Sequence, residues 1–167
     1  MTGPRIHLVH GGTGAGKSTL ARRIAAEERA LAFHLDDWMQ ALFWVDHPPG
    51  SQPMDWALER IERCVGRMWA VAEQAAALGV GAVFDCGFTT RAERDRLAAR
   101  AEAAGLPVRL HWLDVDAETR WARVETRNAE RGETFAFAVT RAMFDFMETI
   151  REAPDAAEMA ARDGLRH

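Results

Sequence analysis

The sequence predicts a three-layer α/β domain in which a parallel sheet of four to five strands is flanked by helices. Short apolar runs alternate with longer amphipathic stretches along most of the chain, which is the pattern of parallel βαβ units. The first run is followed by a glycine-rich turn and a helix. With 167 residues, 48% of them hydrophobic and 28% charged, the chain (1–167) is typical of a single globular domain rather than of a disordered, fibrous or membrane-spanning protein.

Apolar runs, caps and breakers give the order of the elements. Strands are predicted at residues 6–10, 31–35, 80–84 and 108–113, and helices at 17–30, 55–78, 90–104, 116–131 and 140–151. Asp116 and Thr90 are predicted N-caps, and Thr90 forms a capping box with Glu93. Residues 46–53 are rich in turn formers and are expected to be a loop. No fifth strand is evident after Pro154.

Charge and cysteine content limit the partners and the compartment. A net charge of −4 argues against a protein that coats nucleic acid or an anionic membrane. Cys64 and Cys86 are too few for a metal cluster or a disulfide framework, and the first apolar run begins too early for a signal segment to precede it. We therefore expect a cytoplasmic monomer or homodimer that has no membrane partner and for which nucleic acid is not a favoured partner.

Residues 11–18, GGTGAGKS, match the phosphate-binding pattern G-x-x-x-x-G-K-[ST] between a predicted strand and a predicted helix. Lys17 is the only lysine among 21 basic residues, and it stands where phosphate binding needs a flexible point charge. A glycine turn without a ligand would not require a lysine and a serine at these positions. ATP is therefore the predicted ligand of the loop residues Gly11, Gly12, Thr13, Gly14, Ala15, Gly16, Lys17, Ser18 and Thr19.

Several classes of nucleotide-binding protein are excluded by what the sequence lacks. Guanine-specific GTPases read the base with an Asn-Lys-x-Asp segment, and no second lysine is present to form one. The chain is too short for a ring ATPase with a helical lid domain, and it has no Leu-Ser-Gly-Gly-Gln segment typical of transporter ATPases. A small kinase is the class that remains.

Carboxylates follow two of the predicted strands. Asp36 and Asp37 come after residues 31–35, and Asp85 comes directly after residues 80–84. Because ligands of open α/β sheets bind at the carboxyl ends of the strands, one acid is expected near Mg²⁺ and another near an acceptor hydroxyl. Asp85 is the candidate Walker-B acid, which would bind Mg²⁺ together with Ser18. The alternatives are that Asp36 or Asp37 caps a helix while the other functions, and that Asp85 is a turn acid.

The aromatic and histidine residues have more than one interpretation. Four apolar residues follow the acid pair: Trp38, Met39, Phe43 and Trp44. Residues spaced in this way more often belong to the core. The alternative is that they form an apolar wall around an acceptor, over which residues 46–53 would close. The histidines His7, His10, His34 and His111 lack metal-ligand spacing and are interpreted as core or edge residues.

Arginines form a stripe on the helix predicted at 116–131. Arg120, Arg123, Arg127 and Arg131 fall within about 80° of one another at 100° per residue. This predicts a helical lid, about 117–135, that closes on a transferring phosphoryl group, with Arg123 among the nucleotide-binding residues. The alternative is a solvated face with i,i+4 ion pairs.

Taken together, four segments resemble the small P-loop kinases that include polynucleotide 5′-kinases, chloramphenicol phosphotransferase and the zeta toxins, often labelled AAA-like. The segments are GGTGAGKST (11–19), HLDDWMQ (34–40), VFD (83–85) and RNAERG (127–132), within a resemblance that covers about residues 5–150. The resemblance implies the P-loop kinase fold with a helical lid. It gives the general-base position to Asp36, the phosphate and magnesium positions to Lys17 and Ser18, and the lid positions to Arg127 and Arg131.

The resemblance has one departure. Asn128 and Gly132 complete an Asn-x-x-Arg-Gly element that resembles the lid of phage-type polynucleotide kinases. Those kinases have an arginine three residues after the base to hold the acceptor's phosphate, and this chain has Met39 there. An apolar side chain cannot hold a phosphate, which disfavours nucleic acid as the acceptor.

The leading hypothesis is an ATP- and Mg²⁺-dependent phosphotransferase that acts on a hydroxyl of a small molecule. Asp36 would deprotonate the acceptor, and Lys17, Arg127 and Arg131 would stabilise the transferred phosphoryl group. The alternatives are a polynucleotide 5′-hydroxyl kinase and an ATP-binding regulatory module that acts through a protein partner.

Overall fold

The computed structural model describes residues 3–47, 53–131 and 138–167, and within them it contains a five-stranded, fully parallel sheet with the order β2-β3-β1-β4-β5. The elements are β1 (Ile6–Gly11), α1 (Lys17–Glu28), β2 (Ala30–His34), α2 (Leu35–Leu42), a 3₁₀ turn (Trp44–Asp46), α3 (Pro53–Ala77), β3 (Gly81–Asp85), α4 (Arg91–Ala103), β4 (Val108–Leu113), α5 (Ala117–Glu130), α6 (Arg141–Ile150), α7 (Ala156–Ala161) and β5 (Leu165–Arg166).

The three-layer arrangement follows from the central strands, which are buried on both faces. In β1, Ile6 and Leu8 point into a core shared with α3 and α4, whereas Val9 points into a second core formed with α1. Such alternation into two apolar layers is expected of a parallel sheet covered on both faces. The predicted fold class is thus confirmed. None of the helices within the described ranges is long and apolar enough to span a bilayer.

The N-caps of α4 and α5 are the predicted residues, whereas the N-cap of α2 is not. Thr90 forms the predicted capping box, and Asp116 accepts a hydrogen bond from the backbone N–H of Thr119. At α2 the N-cap is His34, with no side-chain capping bond, and Asp36 and Asp37 both lie in the first turn. The expectation that one of the two acids caps the helix was therefore wrong.

The fifth strand, not recognised in the sequence, is the two-residue β5, which extends β4. Two exposed residues carry no pattern, and the strand is positioned instead by the segment before it. Glu158 of α7 is fully buried and forms a two-point ion pair with Arg94 of α4, with N–O distances of 2.7 and 2.8 Å. Parts of two other predictions, the loop at 46–53 and the end of the lid with Gly132, lie outside the described residues.

Arg120 differs from the other arginines of the predicted stripe on α5, because it is buried in an ion pair. Its side chain is 2% exposed and forms two hydrogen bonds to Glu148 of α6, at 2.8 and 2.5 Å. It also donates to the carbonyls of Val115, at 2.8 Å, and Thr13, at 3.3 Å. The guanidinium therefore joins the glycine-rich loop to α5 and α6, and it is not available to a phosphate group.

A row of histidines crosses the face of the sheet that α1 covers, from β1 over β4 to the end of the chain beyond β5. His7 of β1 and His111 of β4 share a hydrogen bond at 3.0 Å, and His111 shares another with His167 at 3.1 Å. The outer nitrogen of His7 lies 3.2 Å from the carboxylate of Glu28. Because a neutral ring carries one N–H, the row is satisfied when each ring donates toward Glu28. Burial lowers the pKa of His111 to about 3 and also lowers that of His7, so the rings are neutral in the folded protein.

The buried histidines predict loss of stability in acid. The folded-state pKa of His111 is about 3 and that of His10 is lowered by burial to about 4, whereas unfolded histidines titrate near 6.5. The unfolded chain therefore binds more protons, and the free energy of unfolding should fall as the pH drops from about 6.5 toward 4. Urea unfolding across this range measures the slope. His111→Gln should make the slope shallower; identical slopes for wild type and His111→Gln would contradict the prediction.

The buried Arg120–Glu148 ion pair predicts that replacing Arg120 destabilises the protein more than replacing an exposed arginine does. Replacing Arg120 by Met should lower the free energy of unfolding by about 3 kcal/mol, because the change removes one partner of a largely buried ion pair. Arg63→Met is the matched control, since Arg63 pairs with Glu59 on the exposed side of α3 and its replacement should cost less than about 1 kcal/mol. Similar losses in both variants, measured by chemical denaturation, would refute the structural role of Arg120.

Candidate nucleotide and acceptor site

A cavity of about 490 Å³ opens at the carboxyl ends of β1, β2 and β3, within the size range of small-molecule sites. This is the edge of an open parallel sheet at which ligands bind. Its lining residues come from the glycine-rich loop with α1, from the ends of β2 and β3, and from α5 and α6. They are Thr13, Gly14, Gly16, Lys17, Ser18, Thr19, Arg22, His34, Asp36, Asp37, Asp85, Gly87, Arg123, Arg127, Val139, Met143, Phe146 and Met147.

The glycine-rich loop connects β1 to α1 with the backbone that phosphate binding requires. Gly14 and Gly16 have φ values of 80° and 96°, in the left-handed region that favours glycine. At Gly14 a Cβ would also collide with the carbonyl oxygen of Arg120. Lys17 begins α1 and donates a hydrogen bond to the Gly12 carbonyl at 3.2 Å. Loop amides, helix N-terminus and ammonium group thus form a site for phosphate oxygens.

Ser18, Asp85 and His34 form a connected polar group on one side of the loop. The Ser18 hydroxyl donates to Asp85 Oδ2 at 2.6 Å, and His34 Nδ1 lies 3.0 Å from the same oxygen. The parallel register pairs His34 with Asp85 at the ends of neighbouring strands, which explains their proximity. Burial by itself would raise the pKa of Asp85, but the His34 hydrogen bond, the charge of Lys17 and the Ser18 hydrogen bond outweigh it and hold the pKa below its usual value.

Hydroxyl and carboxylate oxygens are the ligands that Mg²⁺ prefers. Ser18 and Asp85 meet this requirement, and both line the cavity beside the loop. Within the described ranges, histidine, cysteine and carboxylate side chains are not grouped in threes that would bind a metal by themselves. This donor set fits a cation that takes its remaining ligands from a bound nucleotide and water.

Asp36 and Asp37 both line the cavity from the first turn of α2. Asp36 is exposed to solvent at the cavity, yet neighbouring protein atoms partly desolvate its carboxyl. This desolvation raises its pKa above the usual value; Lys17 opposes the rise, and the neighbouring Asp85 adds to it. A carboxylate with a raised pKa beside an ammonium group is suited to accept a proton.

Arg123 and Arg127 face the cavity from α5. Arg123 approaches the Ala15 carbonyl at 3.4 Å. The charge of Arg127 acts on Asp36, while its buried Nε–H has no hydrogen-bond partner in the described part of the chain. Arg131 lies at the C-cap of α5, is exposed, and does not line the cavity. Its assignment to the lid stays a prediction.

Asn128, predicted as part of the lid element, fixes the end of α6 that borders the cavity. Its amide donates to the Val139 carbonyl at 2.8 Å and its carbonyl oxygen accepts from the Val139 N–H at 3.1 Å. Val139 in turn packs with Val124 and Phe144 between α5 and α6. The side chain of Asn128 thus sets the distance between the arginines of α5 and the residues of α6.

The apolar wall of the cavity comes from α6 and not from the segment after the acid pair. Val139, Met143, Phe146 and Met147 provide it. Met39 is 3% exposed in the core, and Trp38, Phe43 and Trp44 pack against that core without lining the cavity. The alternative in which these aromatics form an acceptor wall was therefore wrong.

Most of the predicted site residues meet in one place. Six loop and α1 residues border the large cavity: Thr13, Gly14, Gly16, Lys17, Ser18 and Thr19. Gly11 and Gly12 border a smaller cavity of about 40 Å³ behind the loop, which Lys17 also lines. Ala15 is 2% exposed and lies in the core under the loop.

Two polar residues of the site, His34 and Arg22, were missed in the sequence. His34 was interpreted as a core or edge histidine, although its position two residues before the acid pair, at the end of a strand, is a signal that places it at the ligand edge. Arg22 lies four residues after Ser18 on α1, a helical spacing that puts both on one side. The role of α6 gave no such signal, because it depends on tertiary packing.

Comparison with known proteins agrees with this geometry. The sequence matches the model of the AAA domain family AAA_33 over residues 6–154. No curated protein is similar enough in sequence to count as a match.

Solved structures similar to this chain are low in sequence identity. Kti12 of Chaetomium thermophilum, in complex with ADP-AlF3, has a TM-score of 0.71 at 16% identity, covering 97% of this chain and 88% of that one. A sugar kinase of Janibacter sp. HTCC2649 has a TM-score of 0.65 at 20% identity, covering 98% and 84%. A gluconokinase of Sinorhizobium meliloti 1021 has a TM-score of 0.60 at 19% identity, covering 99% and 83%. Such identities support likeness of fold alone.

The family match extends over most of the chain, and it includes the glycine-rich loop and the strands that carry the carboxylates. The chain therefore belongs to the AAA domain family AAA_33, as a P-loop nucleotide-binding domain with the fold of small P-loop kinases.

Proposed function

We propose that the protein is a kinase that transfers the γ-phosphoryl group of ATP to a hydroxyl of a small molecule. The observation that carries the proposal is that Asp36 lines the same cavity as Lys17 and the Ser18–Asp85 pair. A carboxylate opposite a phosphate-binding loop is needed for transfer to a hydroxyl, whereas nucleotide binding alone does not require it.

In the proposed reaction the acceptor oxygen forms a bond to the γ-phosphorus while the bond from that phosphorus to the β–γ bridging oxygen breaks, and ADP leaves. Asp36 takes the proton of the acceptor hydroxyl. The raised pKa of Asp36 favours this role, because a base accepts a proton more readily as its pKa approaches the working pH.

Charge on the transferred group is balanced by side chains that already face the cavity. Lys17 would contact the β- and γ-phosphate oxygens of bound ATP, and Arg123 and Arg127 would approach them from α5. The free Nε–H of Arg127 suits this role, since a bound phosphoryl oxygen would satisfy it. Ser18 and Asp85 would hold Mg²⁺, which supplies further charge neutralisation when bound. Arg131 belongs to the same proposed lid.

The acceptor is proposed to be a small molecule with an apolar part. Met143, Phe146 and Met147 cover one side of the cavity, and apolar walls of this kind favour ligands with exposed carbon surface. Met39, at the position where phage-type polynucleotide kinases have an arginine, is buried in the core. It therefore offers nothing to the phosphate of a nucleic acid.

The first test is ATP turnover against a panel of hydroxylated metabolites, antibiotics and oligonucleotides, with mass detection of the phosphorylated product. For an active acceptor, Asp36→Asn should lower kcat about a hundredfold to ten-thousandfold, because the general base is lost. The affinity for ATP should stay nearly unchanged. Asp37→Asn, one residue further along the same helix turn, is the matched control and should retain most of the activity.

The outcomes are distinct. Full activity in Asp36→Asn together with loss in Asp37→Asn would transfer the base assignment to Asp37. Unchanged transfer in both variants would remove a carboxylate base from the mechanism. ATP consumption that rises only with another protein, and not with any acceptor, would support a regulatory module instead.

His34 is expected to position Asp85. His34→Ala should raise the Mg²⁺ concentration needed for half-maximal activity about tenfold to a hundredfold, as is usual when a partner that orients a metal ligand is lost. His34→Asn, whose amide can still donate to the carboxylate, should recover part of the loss. A Mg²⁺ dependence that is the same in wild type and His34→Ala would contradict this role.

A further inference from the structure

Arg22 is a half-buried arginine that lines the cavity and has no counter-ion among the residues that the structure describes. It lies four residues after Ser18 on α1, about 40° around the helix, so the two side chains face the same side. Within the described part of the chain it forms no hydrogen bond, ion pair or ring contact, although three carboxylates line the same cavity.

The other cations of the cavity are engaged on the side of the glycine-rich loop and α5. Lys17 donates to the Gly12 carbonyl, Arg123 approaches the Ala15 carbonyl, and Arg127 acts on Asp36. Arg22 lies neither in the glycine-rich loop nor on α5. It lies one turn into α1, a helix that packs against β2 and β3, and β2 leads directly into the first turn of α2 with its two carboxylates.

We infer that Arg22 binds an anionic group of the acceptor, a carboxylate or a phosphate, at a position separate from the hydroxyl that is phosphorylated. The inference rests on the proposed function, because it assigns Arg22 to the acceptor and not to the triphosphate of ATP. A guanidinium that is partly removed from water gains most from an anion that satisfies several N–H groups at once, and carboxylates and phosphates match its geometry.

This defines the acceptor more closely. It carries a hydroxyl that reaches Asp36, an anionic group on the Arg22 side, and carbon surface against α6. One anionic group is compatible with the acidic balance of the chain, because the contact is local.

The direct test is calorimetric titration of inorganic phosphate into protein saturated with Mg²⁺ and a non-hydrolysable ATP analogue, so that the glycine-rich loop is already filled. Arg22→Met should weaken phosphate binding at least about tenfold, as expected when a charge-assisted hydrogen-bond partner is lost. Arg22→Lys should retain part of the affinity. Arg23→Met is the matched control: it removes the same charge from the adjacent, exposed position of α1 and should leave binding unchanged.

Two results would overturn the inference. One is phosphate affinity that is equal in wild type and Arg22→Met, including no measurable binding in either. The other is weaker binding of the ATP analogue in Arg22→Met, which would place Arg22 with the nucleotide instead of the acceptor.

The catalytic test uses acceptors matched in hydroxyls and different in charge: gluconate against glucose, and glycerol 3-phosphate against glycerol. Wild type should prefer the anionic member of a pair, and Arg22→Met should reduce the ratio of kcat/KM values about tenfold. The two pairs distinguish a carboxylate from a phosphate. Equal use of neutral and anionic members by wild type contradicts the role of Arg22. Absence of transfer to every acceptor contradicts the proposed function, while the phosphate titration still decides the inference.

Discussion

The buried guanidinium of Arg120 is the contact on which the geometry of the site depends. It binds a carbonyl of the glycine-rich loop, a carbonyl just before α5, and both carboxylate oxygens of Glu148 on α6. The backbone of Arg120 also comes so close to Gly14 that no side chain fits there. Arg120 thus determines how near α5 and α6 lie to the loop. It thereby also determines the positions of the arginines on α5 and of the apolar wall on α6.

The cavity also shifts the pKa values of two aspartates, Asp85 and Asp36, in opposite directions. Asp85 receives hydrogen bonds from Ser18 and His34 and its pKa is lowered, so it stays ionised and available to a cation. Within the described part of the chain Asp36 receives no comparable hydrogen bonds, and desolvation of its carboxyl raises its pKa. Environments that move the pKa values of two acids apart are the usual means by which one site provides both a metal ligand and a proton acceptor.

The sequence predicted the features that depend on local chemistry. The glycine-rich loop, the capping box at Thr90 and the acids at the strand ends follow from short-range patterns, and the structure places them as expected. Features that depend on packing were missed. β5 is too short to carry a pattern. Arg120 is distinguished from the other arginines of α5 only by its ion pair with Glu148. Nothing in the order of residues indicates that α6 lines the same cavity as the acids that follow β2.

The arginines of α5 and the apolar residues of α6 cannot change position independently. Asn128 binds both backbone groups of Val139, Phe144 packs against Trp121, and Glu148 pairs with Arg120, so α6 and the segment before it are joined to α5 near both ends of α5. A movement of α5 toward a bound phosphate would therefore carry α6 in the same direction. Because α6 forms the apolar side of the cavity, the arginines proposed to contact the phosphate and the surface proposed to contact an acceptor are parts of one unit, and binding at either place would restrict the same motion.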